Sequence, residues 1–201
     1  MNSIDIRSYK DTDSIPLLIL VDLQQEYLCQ NRPLGLKDTA ATVSNCIRLL
    51  TYARSARIPI AFVRWSQPGK LFHRGSSFSG WIDGCTPHGS DMVFERAWPS
   101  CYESTEFSEM MDDGGGRNAV IAGFTGAIAC IATMIEGVPR QHRFTFIEDA
   151  SASHAHQGKS EAAMHQVACS LISLYARVEK TENWVHAQEC RQPSGFATNG
   201  F

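Results

Sequence analysis

Apolar residues along this chain fall into short continuous runs, separated by stretches in which they recur at helical spacing. Residues 15–22, IPLLILVD, are apolar until they end in an acid, the pattern of a parallel strand buried on both faces. Residues 58–64, 118–123 and 143–149 repeat it, and 91–95 and 176–181 are shorter strand candidates. Between them, residues 39–56 carry Val43, Ile47, Leu50 and Ala53 near helical spacing, with Asp38 or Thr39 as cap. Residues 104–111, 127–135 and 160–174 read as further helices, the first stopped by the glycines 114–116. Residues 66–91 lose all periodicity; a loop of that length inside a compact domain is usually functional. From His186 onward the tail reads as irregular.

Alternating strands and helices predict one α/β domain over residues 1–201, a three-layer α-β-α sandwich around a mostly parallel central sheet. In such sheets ligands bind outside the carboxyl ends of the strands. Asp22, the loop after Arg64 and the segment after Gly123 should therefore share one cleft.

Composition narrows the function. Hydrophobic residues make up 43% of the 201 and charged residues 19%, enough for an ordinary globular core. The net charge of −3 and the lack of any Lys/Arg run argue against a nucleic-acid partner and leave a small-molecule substrate as the expectation. The most apolar run is too short to span a membrane, and residues 1–16, with Asp5, Asp11 and Asp13, lack the apolar core of an export signal. The seven cysteines are odd in number and never spaced CxxC, so they read as reduced thiols of a cytoplasmic protein, most packed as small hydrophobes.

Asp22 is the sharpest chemical signal. A carboxylate at the end of an apolar strand is desolvated, which raises its pKa into the range of a general acid or base. The alternative is an N-cap for the next helix. The surrounding residues bear on this choice. The segment VDLQQEY at 21–27 resembles the D-x-Q-x-x-F/Y opening of isochorismatase-like hydrolases. In order after it, DMVFERAWPSCY at 91–102 resembles the family segment in which a lysine precedes a Ser-small-aromatic triplet. VIAGFTGAIACIAT at 120–133 is similar to the strand-turn-helix that presents a nucleophilic cysteine, and FIEDASASH at 146–154 to the strand and Asp-Ala turn that follow.

The resemblance implies the fold and a hydrolase, with two departures. Counting four residues back from Ser100, the family lysine becomes Arg96. Arginine keeps the charge and can hold Asp22 ionised or bind a substrate anion, but it stays protonated and cannot relay a proton; a purely structural ion pair is the alternative. The family cysteine falls six residues after the glycine and four before a threonine, which from Gly123 and Thr133 alike is Ala129. Cys130 is one residue late, a rotation of roughly 100° on a helix, and reads as a buried helix cysteine, with a nucleophilic role kept as the minority alternative. A small residue followed by Cys resembles the true isochorismatases, which cleave a vinyl ether by protonation and water attack. Gln67, in the Gln-Pro-Gly of residues 67–69, resembles their substrate-contacting glutamine, the alternative being a common Pro-Gly turn.

Tyr27, Trp65, Trp81 and Tyr102 are candidate walls of an apolar pocket, each also readable as ordinary packing. Gly126 is a candidate substrate contact, and the backbone N–H groups around Ala129 a candidate oxyanion site. His154 reads as a hydrogen-bonding residue of its turn. No histidine or cysteine spacing matches a metal site, and no cofactor is expected. By resemblance the chain forms a homodimer or homotetramer, with residues 123–128 and the tail as contact candidates. The leading expectation is a hydrolase using Asp22 with Arg96. A cysteine amidase using Cys130 and a binding protein without turnover are the alternatives.

Overall fold

The computed structural model describes residues 15–114 and 118–190. The readings placed on residues 1–14, on Gly115 and Gly116 and on the tail from 191 lie outside the described residues. Six strands form one sheet: β1 Leu17–Val21, β2 Ile60–Trp65, β3 Met92–Arg96, β4 Ala119–Phe124, β5 Phe144–Ala152 and β6 Arg177–Glu179. Their order is β3-β2-β1-β4-β5-β6 and every neighbouring pair is parallel. Parallel neighbours need crossover connections. These include the helices α1 Ala40–Ser55, α2 Thr105–Asp112, α3 Ile131–Gly137 and α4 Glu161–Ile172; a fifth, α5 Thr181–Glu189, follows β6.

Strand β1 shows why there are three layers. Side chains alternate across a strand, so Leu18 and Leu20 face one core while Leu17, Ile19 and Val21 face another. The first core is closed by Cys46, Leu49, Leu50 and Ala53 of α1 and Trp184 of α5. The second is closed by Phe107 and Met111 of α2, Met134 of α3, and Ala168 and Ile172 of α4. A strand with both faces covered has no polar side, which is why its sequence reads as an unbroken apolar run.

Two expectations change. The segment from His186 is not irregular up to Cys190: helix α5 is fastened because the Thr181 amide and hydroxyl both donate to Asp149 Oδ1 at 2.8 Å and Trp184 is buried edge-on against Tyr52. The long α1 starts after Thr39, whose side chain makes no capping bond. By contrast Ser104 and Ser160 cap α2 and α4 by accepting from the amides three residues on.

Burial on both faces sets the sensitivity of this sheet. Leu20→Ala should destabilise the protein by about 2–5 kcal/mol, the cost of lost transfer energy plus a cavity. Val93→Ala, on the exposed edge strand, should change stability by no more than about 0.5 kcal/mol. Urea unfolding midpoints of the two variants check this, and equal effects would contradict the placement of the core.

Candidate active site

The strand order reverses direction of growth between β1 and β4, and a crevice forms at their carboxyl ends. Val21 is paired with Gly123 there, and a Cβ on Gly123, which has φ +111°, would stand 2.1 Å from the Val21 carbonyl oxygen. Only glycine lets the two strands approach this closely. Asp22, the next residue, turns out of β1 with φ 50°, a left-handed conformation that aspartate tolerates.

The Asp22 carboxylate is fully buried. Its Oδ2 accepts from Arg96 Nη2 at 2.5 Å and from the Tyr27 hydroxyl at 3.4 Å, while Oδ1 has no protein partner. Asp22 therefore caps no helix. Arg96 ends β3, also buried; its Nη1 donates to the Trp98 carbonyl at 2.6 Å and its guanidinium lies 4.7 Å from the Trp65 ring centre. Neighbouring Glu95 turns the other way, to Arg64 and Arg74. Arg96 Nε and Trp65 Nε1 are buried without a protein partner as well. Two N–H donors and one carboxylate oxygen thus stand unpaired within one small cluster, and unpaired buried polar atoms are costly unless something bonds them.

Burial pushes the Asp22 acid up to about 6 from its ordinary 3.8, against the opposing pull of the Arg96 cation. Burial is the largest influence on the Arg96 cation and works against it, but Asp22, together with Cys101 and Tyr27, outweighs it and holds the guanidinium above its ordinary value. Because the folded acid is weaker than the unfolded one, Asp22 favours folding fully below about pH 3.8 and loses that contribution as pH rises through about 6.

The long loop closes over this pair. Phe72, with φ 53°, is buried against Tyr27 and Trp65, with ring centres 5.4 and 5.9 Å apart. Phe124 and His154 complete the wall around Tyr27 at 5.3 and 5.7 Å, and His154 bonds the Leu34 carbonyl through Nε2. Gln24 fastens the arrangement: its Oε1 accepts from the Trp65 amide at 2.9 Å and its Nε2 donates to the Trp65 and Ser79 carbonyls. Neither Phe72 nor Gln24 stood among the sequence-derived site residues. Gln24 lay in plain view inside the VDLQQEY segment; nothing in the aperiodic loop marks Phe72.

Four expected contacts lie elsewhere. Tyr102 belongs to the opposite core, stacked on His142 and bonded to its Nδ1 at 2.5 Å, because the 3-10 turn Cys101–Glu103 swings the ring away from Asp22. Gly126 packs toward Ser151, Phe146 and His165, so it is a close-packing glycine between β5 and α4. Trp81 lies edge-on to Phe62 with the Arg64 guanidinium over it. Gln67 lines an outer cavity of about 350 Å³ with Ser66, Pro68, His73 and Arg74; Asp22 and Arg96 do not line it. A second cavity of about 410 Å³ sits at the other end of the sheet, beside Leu17, Pro59 and Met92.

The turn before α3 is a π-helical turn over Gly126–Cys130. Three of its amides are engaged: Ile128 and Cys130 both donate to the Thr125 carbonyl and Ala127 to Ser153 Oγ. The amides flanking position 129 are therefore not free to bind an oxyanion. Ala129 and Cys130 are both buried; the Cys130 sulfur lies 4.0 Å from the Gly123 carbonyl oxygen, and burial pushes its thiol far above the ordinary range. Cys101, which is buried beside Arg96, has its thiol raised by the same cause. Among the described residues no group of three or more His, Cys, Asp and Glu is placed to hold a metal ion, and no helix is long and apolar enough to cross a membrane.

The isochorismatase domain family matches residues 16–182 of this chain. A secreted isochorismatase effector of Verticillium dahliae is 25% identical over 159 residues, covering 78% of this chain and 83% of the relative. An isochorismatase of Pseudomonas putida is 27% identical with a TM-score of 0.78, over 84% of this chain and 89% of that one. The N-carbamoylsarcosine amidase of Thermoplasma acidophilum shares the fold, with a TM-score of 0.70 at 20% identity over 84% of this chain and 98% of that one.

The electrostatics are open to direct measurement. The carboxyl carbon resonance of Asp22, assigned by its loss in Asp22→Asn, should titrate near pH 6 rather than near 3.8. In Arg96→Met the midpoint should move higher still, since the cation that opposes burial is gone. A midpoint near 3.8, or one that falls in Arg96→Met, would contradict the assignment.

Proposed function

This chain belongs to the isochorismatase family of hydrolases, and from that premise we propose that it hydrolyses a small carbonyl-bearing or anionic metabolite through Asp22, with no covalent cysteine intermediate. The observation that carries the reading is the Asp22–Arg96 pair, fully buried under Tyr27, Trp65 and Phe72. At about 6 the acid exchanges protons near neutral pH, and roughly a tenth of it is protonated at pH 7. It is thus able to give a proton to a substrate carbon or oxygen and to regain one from the attacking water. Arg96 cannot release its proton. It acts as a fixed charge that orients Asp22 and offsets negative charge on the substrate.

Among the described residues, the lack of an ionisable thiol at this turn supports the same reading. By the resemblance, the family thiol position falls on Ala129, and the Cys130 thiol is buried and held neutral. A thiol is nucleophilic only as its thiolate. Relatives named as isochorismatases make a carboxylated vinyl ether the first substrate class to assay, with amides second. We place this chemistry in a reducing, cytoplasmic setting because all seven cysteines are free thiols; the Verticillium relative is named as secreted.

Turnover of isochorismate and of a panel of small amides is the test. Asp22→Asn should lower kcat by about 10²–10⁴, the usual contribution of a positioned acid, while Cys130→Ala and treatment with iodoacetamide should leave it essentially unchanged. Loss of activity in Cys130→Ala with the fold intact would assign an amidase-type thiol mechanism instead. Ligand binding that survives Asp22→Asn, with turnover by neither protein, would show a binding protein.

A further inference from the structure

The two oxygens of the Asp22 carboxyl group are held unequally. Oδ2 accepts from Arg96 Nη2 at 2.5 Å and from the Tyr27 hydroxyl at 3.4 Å, whereas Oδ1 is buried with no protein partner. Each carboxyl oxygen offers two lone-pair sites, so the two donors fill those of Oδ2. A proton on Oδ2 would make that oxygen a hydroxyl facing two donors, one of them a cation that never deprotonates. The same proton on Oδ1 leaves Oδ2 as the carbonyl oxygen with both bonds intact. Turning the carboxyl group over exchanges the names of the oxygens and nothing else.

The surroundings leave that proton without a protein acceptor. Arg96 Nε and Trp65 Nε1, the other buried atoms of the cluster without protein partners, are donors only. The titratable groups facing Asp22 are Arg96 at the end of β3, Tyr27 on the 3-10 turn Gln25–Tyr27, Cys101 on the turn after β3 and Cys130 on the turn before α3. Burial raises both thiols and keeps them neutral. His154, on the far side of the Tyr27 ring, spends its Nε2 on the Leu34 carbonyl.

Tyr27 is fixed in place for its bond to Oδ2. Its ring packs against Phe72, Phe124 and His154, and its backbone carbonyl accepts from the Leu36 amide at 2.8 Å. Phenylalanine would fill the same packing; the hydroxyl adds only the bond to Asp22. We propose that Tyr27 is a positioning residue: with Arg96 it reserves Oδ2, so that the acid proton stands on Oδ1 and leaves from there. This rests on the reading of Asp22 as the acid. In the step, the Oδ1–H bond breaks, its electron pair stays on the carboxylate, and a substrate carbon or oxygen takes the proton. The attacking water gives hydroxide to the substrate and returns a proton to Oδ1.

Infrared difference spectra of protein isotope-labelled at the aspartate carboxyl carbons, taken on either side of about pH 6, test this without turnover. Asp22→Asn assigns the band. Hydrogen bonds to a carbonyl oxygen lower its stretching frequency, so the C=O band of protonated Asp22 should move to higher frequency in Tyr27→Phe. The titration midpoint should rise as well, by less than in Arg96→Met, because the lost bond favoured the carboxylate. 3-Fluorotyrosine at position 27, a stronger donor of nearly the same shape, should move band and midpoint the other way. Far-UV circular dichroism checks the fold of each protein. A band or a midpoint that stays put in either folded variant overturns the proposal. The expected shifts in a protein without turnover would leave the positioning standing and remove the hydrolytic reading instead.

Discussion

Two opposite charges, Asp22 and Arg96, lie out of water at the carboxyl ends of β1 and β3, and the local structure is arranged around keeping them there. Removing an ion from water costs several kcal/mol even after relaxation, and mutual attraction alone seldom recovers it. Here the recovery is incomplete: the acid still stands near 6, and three polar atoms of the cluster lack protein partners. A hydrophobic pair of similar volume would serve folding as well or better. An arrangement that folding does not require, held among Tyr27, Trp65 and Phe72, is what the proposed proton chemistry at Asp22 would account for.

The scaffold meets this cost through backbone approach and through Gln24. Gly123 lets β1 and β4 close to a distance no side chain permits, which sets Asp22 at the mouth of the crevice. The single side chain of Gln24 then binds both backbone groups of Trp65 and reaches Ser79. One buried amide thus joins β1, the end of β2 and the long loop. The loop places Phe72 against the stacked Trp65, whose other neighbour is the Arg96 guanidinium. The outer cavity beside Gln67 and Arg74 lies next to the Phe72 segment.

Much of this was readable from the chain because burial on both faces leaves a strong one-dimensional trace. All six strand candidates overlap observed strands, and Asp22, Arg96, Tyr27 and Trp65, which the structure brings together, were marked by their places at strand ends or in ordered motifs. What was not readable depends on three-dimensional direction. Strand β5 runs on to Ala152 because a register shift brings Ser151 and Ala152 beside Gly123 and Phe124, and those small residues carry no apolar signal. Tyr102 and Gly126 were assigned to the cleft from position alone, but a 3-10 turn and a π-helical turn point them into packing. Phe72 comes from a loop without period, and α5 depends on the distant Asp149.

The two departures at the site are physically linked. A covalent thiol mechanism needs a group that takes the thiol proton and a cation that tolerates the resulting thiolate, tasks a lysine near an aspartate can share. With alanine at position 129 no thiol proton has to move, and a cation that never titrates becomes the simpler partner for Asp22. Arginine supplies that: a planar fork that reaches Asp22 and the Trp98 carbonyl at once, and a face that stacks on Trp65. Its fixed charge also keeps Asp22 from rising further under complete burial, so the acid remains exchangeable near neutral pH instead of being locked in its protonated form. Arg96 and Ala129 thus both fit the proposed reading, in which one carboxyl group handles the proton and water, not sulfur, attacks the substrate.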